Sequence, residues 1–176
     1  MVDIRTLNES ICNSYVKWIP YGEGDNILNK FSKEEWHLIA SDIDTEDELM
    51  ELLINYPHKI QAFVLYEIAT EQPIAFVYIL QEGEADNNLV SYHGGGWHKS
   101  IHHTMLYYRG TILMVEKLLS KGFKVITYND IDNRNAFRFM QGAGFVKYYT
   151  SDTKNYMSID NSLLEQSMIY QYLHRR

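Results

Sequence analysis

Strand-forming runs crowd the middle of this chain and helix-forming runs follow them, an order that few architectures accept. Residues 62–68 (Ala-Phe-Val-Leu-Tyr-Glu-Ile) and 74–80 (Ile-Ala-Phe-Val-Tyr-Ile-Leu) are apolar, aromatic and β-branched. Polar, turn-forming residues 69–73 join them, so the pair reads as an antiparallel hairpin. After an acidic loop, residues 82–88, comes a third strand, residues 89–93, running into Gly94, Gly95, Gly96 and Trp97. Residues 111–121 then read as a helix with Ile112, Val115, Leu118 and Leu119 on one stripe and Gly122 as the stop. A strand at 124–128, a helix at 133–143 and strands at 145–150 and 165–173 complete the series. The order β-β-β-α-β-α-β-β predicts an α+β fold, a mixed and mostly antiparallel sheet flanked by helices, since a doubly wound sheet alternates throughout.

The first third is less regular. Residues 2–7 read as a short strand. Asn8 opens a helical reading over 9–18 that Ile19-Pro20 ends. Ser32 and Glu35 form a capping box for a helix over 31–40. Thr45 caps a clearer helix, 46–55, with Leu49, Leu52 and Leu53 on one face and acidic residues in its first turn, where the helix dipole favours them.

The chain has 176 residues, which suits a single domain over 1–176 with no metal or disulfide staple. Cys12 is the only cysteine, so no internal disulfide forms, and a reducing cytoplasmic compartment is expected. The first residues lack a basic region followed by an apolar run, and no stretch approaches the ~20 apolar residues that cross a bilayer. A net charge of -7 argues against nucleic acid and for a cationic partner, a small-molecule or peptide amine.

The segment Asn133-Arg-Asn-Ala136-Phe-Arg-Phe-Met140-Gln-Gly-Ala-Gly144-Phe145 carries more specific information. Asn133 suits a helix N-cap, Ala136 allows close approach, and Gly144 supplies the left-handed turn that ends the helix. This arrangement resembles the GNAT superfamily of N-acetyltransferases, whose members carry Asn-x-x-Ala followed by Gly-Phe at the helix end. The resemblance covers residues 62–173 and the N-terminal third only loosely. It implies the GNAT fold, acetyl-CoA as cosubstrate, transfer of an acetyl group to a primary amine, and a homodimer formed through a late strand, here 168–173.

The family's acyl-CoA loop, Arg/Gln-x-x-Gly-x-Gly/Ala at a helix start, corresponds to Leu106 through Thr111 and is degenerate. Gly110 and Thr111 N–H groups at a helix N-terminus, with Arg109, would hold phosphate, and Tyr108 adjoins them. Ser91, Gly94 and Gly95 would flank the pantetheine arm, with the glycines as a bulge, and Asn133 and Ala136 complete the cofactor contacts. His93, at the strand end, is the candidate base, with a reference pKa of about 6.5. Met140 occupies the family's usual tyrosine acid position and has no proton to give, so Tyr92, Tyr128 and Tyr107 are the substitutes. Tyr21, Glu23, Asp25 and Trp36 are candidates for the acceptor site. His98 and His102 share a helix face, but no third ligand stands nearby, and no metal is expected. A catalytically silent ligand-binding or interaction protein of the same fold is the alternative.

Overall fold

The computed structural model describes residues 2–21, 32, 34, 45–84, 87–96 and 100–175. An eight-stranded sheet runs in the order β1-β2-β3-β4-β5-β6-β8-β7. Its strands are β1 (Ile11–Cys12), β2 (Val16–Pro20), β3 (Ile60–Glu67), β4 (Pro73–Gln81), β5 (Leu89–Gly96), β6 (Lys124–Asp130), β7 (Val146–Thr150) and β8 (Lys154–Ile159). Helix α1 (Glu46–Asn55) precedes β3, α2 (Ile101–Ser120) joins β5 to β6, and α3 (Arg134–Gly142) joins β6 to β7. Two short helices, α4 (Asn161–Gln166) and α5 (Met168–Leu173), end the chain. Every neighbouring pair is antiparallel except β5 and β6. The fold class and the 60–81 hairpin match the sequence reading.

The two faces of the sheet carry separate cores. One packs Val77, Ile79, Val90, Tyr92, Val125 and Met157 against Met114, Val115 and Leu118 of α2. The other packs Ile60, Ala62, Val64, Phe76 and Tyr78 against Leu49 of α1. Alternation along each strand sends neighbouring residues to opposite faces, so Tyr92 and His93 serve different sides.

Three readings of the ends are corrected. Residues 2–7 hold a 3-10 helix, Ile4–Leu7, capped by Asp3, whose side chain accepts from the Arg5 N–H. Residues 9–18 are β1, a turn and β2 rather than a helix. The Asn13 Oδ1 accepts from the N–H groups of Tyr15 and Val16, and this Asx turn reverses the chain. Val16 and Trp18 are then buried while Lys17 between them is exposed, the period-two pattern of a strand. Residues 165–173 are helical: Asp160 caps α4 and Ser167 caps α5 by accepting from Tyr170 N–H. The strand beside β6 is β8, which the sequence reading missed. The helix read over 31–40 lies outside the described residues, apart from Ser32 and Glu34.

Helix α2 is twenty residues long and starts at Ser100, its N-cap, not at Thr111. Gly110 sits in its interior because a Cβ there would strike Leu65 Cδ2. A glycine that costs a helix about 1 kcal/mol relative to alanine is kept for this close contact. Likewise, Gly94 to Gly96 form no bulge against β4; they pair regularly with Val77, Phe76 and Ala75. A Cβ on Gly94 would lie 2.5 Å from the Phe76 carbonyl oxygen, a backbone atom that cannot rotate away. Gly94→Ala is expected to cost about 1–3 kcal/mol and lower Tm by roughly 2–12 °C. An unchanged Tm would show that the strands do not approach this closely.

Candidate functional site

The parallel pair β5–β6 is short. Leu89, Val90 and Ser91 pair with Lys124, Val125 and Ile126. Beyond Ser91 the strands part, although β5 continues to Gly96 and β6 to Asp130. Thr127 Oγ1 donates to the Tyr92 carbonyl at 2.7 Å, replacing a lost ladder bond with a side chain.

On the face away from α2, this region gathers four polar side chains. Ser91 and His93, two apart on β5, share that face, Tyr128 adjoins from β6, and Glu82 follows β4 directly. Ser91 Oγ donates to Glu82 Oε1 at 2.5 Å, and Tyr128 OH donates to the same oxygen at 2.9 Å. Among the described residues, Glu82 Oε2 accepts no hydrogen bond. The single Ser91 proton is thus committed, so at 2.8 Å His93 Nε2–H donates to Ser91 Oγ, which fixes the tautomer. The His93 ring lies between Tyr78, stacked at 5.0 Å, and Tyr128, edge-on at 4.4 Å.

Burial, helped by the Lys154 charge, pulls the His93 pKa down to about 3. His93 is therefore neutral near pH 7 and a weaker base than its reference value implied. The unfolded imidazole takes its proton near pH 6.5, as expected for a free His. Between that pH and about 3 the unfolded state binds more protons, so stability falls as pH drops through this window. The steepest slope from this group is about 1.4 kcal/mol per pH unit. His93→Gln is expected to flatten that dependence in denaturant melts at pH 7 and pH 4.5; an unaltered slope would contradict it.

The other expected site residues fall elsewhere. Tyr92 points to the opposite face, where its hydroxyl meets Thr111 Oγ1 at 3.1 Å and both residues are fully buried. Burial raises the Tyr92 pKa, so it is a core hydroxyl and a poor proton donor. Tyr107 is buried in the same core, and burial raises its pKa well above the usual range. Gly110 and Thr111 lie inside α2, so their N–H groups form no free helix end; this corrects the expected phosphate loop. The Gly110 carbonyl accepts from Trp18 Nε1 at 2.8 Å. Arg109 stacks over the Tyr15 ring at 3.8 Å, on the β2 side of the helix and away from β6. Tyr108 stacks on Phe139 of α3 at 4.0 Å. Met140 is buried in the core.

Asn133 does cap α3, its Oδ1 accepting from Ala136 N–H at 3.1 Å. Asn133 also borders a cavity of about 620 Å³ with Asp130, Arg134 and Asp152. Of the acceptor candidates, Tyr21 packs edge-on against Phe76 at 6.0 Å; Glu23, Asp25 and Trp36 lie outside the described residues. His98 does too, and His102 Nε2 bonds Glu67 Oε1 at 2.7 Å. No group of metal-ligating side chains occurs among the described residues. Glu82 is the site residue that sequence reasoning missed.

One further group bears on an acyl-CoA. Asn129 lies on β6 past the last β5 pair, and its buried Oδ1 has no hydrogen-bond partner among the described residues. An orphaned acceptor where two strands part suits an amide N–H of a pantetheine arm. The arm therefore fits at the parted strands, whereas the pyrophosphate does not fit at Gly110 and Thr111.

No protein-family model and no curated protein sequence matches the chain. Solved structures do. The spermidine N-acetyltransferase of Vibrio cholerae, in complex with CoA and spermine, is similar with a TM-score of 0.66 at 15% identity, over 86% of this chain and 99% of that one. A GCN5-related N-acetyltransferase of Brucella melitensis gives a TM-score of 0.62 at 12% identity, over 93% and 83% of the two chains. The ribosomal-protein-S5-alanine acetyltransferase of Vibrio fischeri gives 0.61 at 14% identity, over 87% and 97%. The fold is thus that of the GNAT N-acetyltransferases. Among the described residues, no helix is long and apolar enough to cross a membrane.

Proposed function

We propose that the protein transfers an acetyl group from acetyl-CoA to a primary amine of a small molecule or peptide. The observation that carries this reading is the Glu82–Ser91–His93–Tyr128 network beside the parted β5 and β6 strands. CoA and spermine in the similar Vibrio cholerae enzyme support a thioester donor and an amine acceptor. Asn129, Asn133 and the β5 backbone at Ser91 and Gly94–Gly95 would hold the donor's arm, and the thioester supplies the activated acetyl group.

The chain's own groups do the rest. Glu82 Oε2 faces the ammonium as counter-charge, passes one proton to water to free the lone pair for attack, and takes the second proton once the nitrogen has bonded. The nitrogen becomes far more acidic as it bonds to the carbonyl carbon, so a carboxylate suffices as acceptor. Ser91 and Tyr128 hold Oε1 and orient the carboxylate, and neutral His93 orients Ser91. The departing thiolate takes its proton from water, since Met140 has none. The setting is cytoplasmic, in keeping with the lone, exposed Cys12. A homodimer would use the free edge of β7, because residues 168–173 are helical; light scattering decides that.

The test is incubation with acetyl-CoA and a broad amine panel, reading free thiol. Amine-dependent thiol release supports the proposal, and none above background contradicts it. The buried Met140 and continuous α2 favour a second reading, a ligand-binding protein without turnover. It predicts that acetyl-CoA raises Tm while no thiol appears.

A further inference from the structure

The aromatic rings on the face away from α2 are not scattered. They form a row across five strands: Tyr78 on β4, His93 on β5, Tyr128 on β6, Tyr156 on β8, and Tyr148 with Tyr149 on β7, where a register shift between Lys147 and Tyr149 breaks the alternation. Successive ring centroids are 5.0, 4.4 and 5.3 Å apart as far as Tyr156, which lies 5.6 Å from Tyr149 and 6.4 Å from Tyr148. Exposure grows along the row, from 3% at Tyr78 to 56% and 57% at Tyr148 and Tyr149. Large tyrosines on an outer strand are not explained by the core, because every residue of β7 is exposed.

Glu82 lies at the inner part of this row, bonded to Tyr128. Its charge also reaches Tyr148, whose hydroxyl it helps to keep protonated, after burial and Tyr156. The row already holds one ammonium: Lys154 Nζ lies 5.4 Å from the Tyr128 ring centroid and 3.5 Å from Asp130 Oδ1. A ring face beside a carboxylate is the chemistry that binds a cation. Two strand spacings, about 10 Å, separate Tyr128 from β7, the reach of an ammonium joined to an aromatic ring by a short alkyl chain. Among the described residues, the second carboxylate beside the row, Asp130, already holds Lys154, so a polyamine would find there no unengaged partner for its further charges.

We infer that the acceptor is an arylalkylamine, its ammonium at Glu82 and its ring on Tyr148, Tyr149 and Tyr156. The inference rests on the amine-acetylating reading but concerns binding, so the two fail separately. The bound ammonium would first give one proton through Glu82 to water; the freed lone pair then attacks the thioester carbon, the nitrogen's second proton goes to Glu82 and then to water, and the C–S bond breaks to a thiolate that takes a proton from water and leaves as thiol.

The experiment is calorimetric titration of the full chain, alone and with CoA, using phenylethylamine, cyclohexylethylamine and spermidine. Phenylethylamine is expected to bind about two- to twelvefold tighter than its saturated analogue, the usual worth of ring-on-ring contact, and tighter than spermidine. The exposed pair Tyr148→Ala/Tyr149→Ala should abolish the preference for the aromatic ring and leave cyclohexylethylamine within about twofold. Glu82→Gln should weaken all three amines. Equal binding of the two ring amines, tighter spermidine, no amine binding under either condition, or a preference that survives the double substitution would overturn the inference. Aryl-selective binding without thiol release would leave it standing and sink the transferase reading alone.

Discussion

Trp18→Ala is expected to destabilise the protein by about 4 kcal/mol, from the lost burial of a large aromatic and an unfilled cavity. Trp18 has no exposed surface. It stands on β2, and its Nε1 donates across the core to the Gly110 carbonyl at 2.8 Å. The substitution therefore removes a packing anchor and a buried donor together. For a chain of this size the loss corresponds to roughly 8–16 °C in Tm. Trp18→Phe keeps most of the ring and loses the donor, so about 1–2 kcal/mol is expected. Denaturant melts read both. A loss below about 1 kcal/mol for the alanine variant would contradict the placement of β2 against a continuous α2 and reopen the reading of Gly110 as part of a loop.

The second large effect falls on turnover. Glu82→Gln is nearly isosteric and keeps an oxygen for the Ser91 and Tyr128 hydroxyls, yet removes the charge and the proton acceptor. Loss of a positioned general base costs about a hundredfold to ten-thousandfold, so kcat/KM for amine acetylation is expected to fall at least a hundredfold with Tm little changed. Tyr128→Phe, which removes one of the two donors to Oε1, should lower the rate less than Glu82→Gln does. Comparable activity in the Glu82→Gln protein would remove Glu82 from the chemistry.

Much of the fold was legible because its signals are local. Asn133 accepts from Ala136 N–H, Gly144 adopts a φ of +110°, and Phe145 enters the core directly after it; each role follows from residue chemistry a few positions apart. The 60–81 hairpin and the Thr45 cap were legible for the same reason. The misreadings share another cause. Gly110 looks like a helix boundary until Leu65, far away in sequence, is seen to require it. Residues 168–173 have strand-like composition, but the Ser167 hydroxyl caps a helix there. Asn13 turns a helical pattern into two strands by binding two backbone N–H groups.

The candidate site was half legible. Ser91 was marked as a pantetheine flank, His93 as a base at a strand end, and Tyr128 as a substitute for the acid that Met140 cannot be. Tyr92 was marked as the same kind of substitute, yet alternation sends it into the opposite core. Glu82 was hidden because its partners are 9 and 46 residues away, and its only signal was an acid directly after a strand. The phosphate loop failed with Gly110, since a loop placed by counting from a helix stripe depends on where that helix begins.

Product formation decides whether the Glu82 site transfers an acetyl group. The protein is incubated with acetyl-CoA and phenylethylamine, and the N-acetylated amine is quantified by mass spectrometry beside the Glu82→Gln variant at matched Tm. The account predicts acetylated amine formed well above the protein-free rate by the wild type and about a hundredfold less by the variant. Product no faster than without protein, from a sample whose melting curve shows it folded, would contradict it.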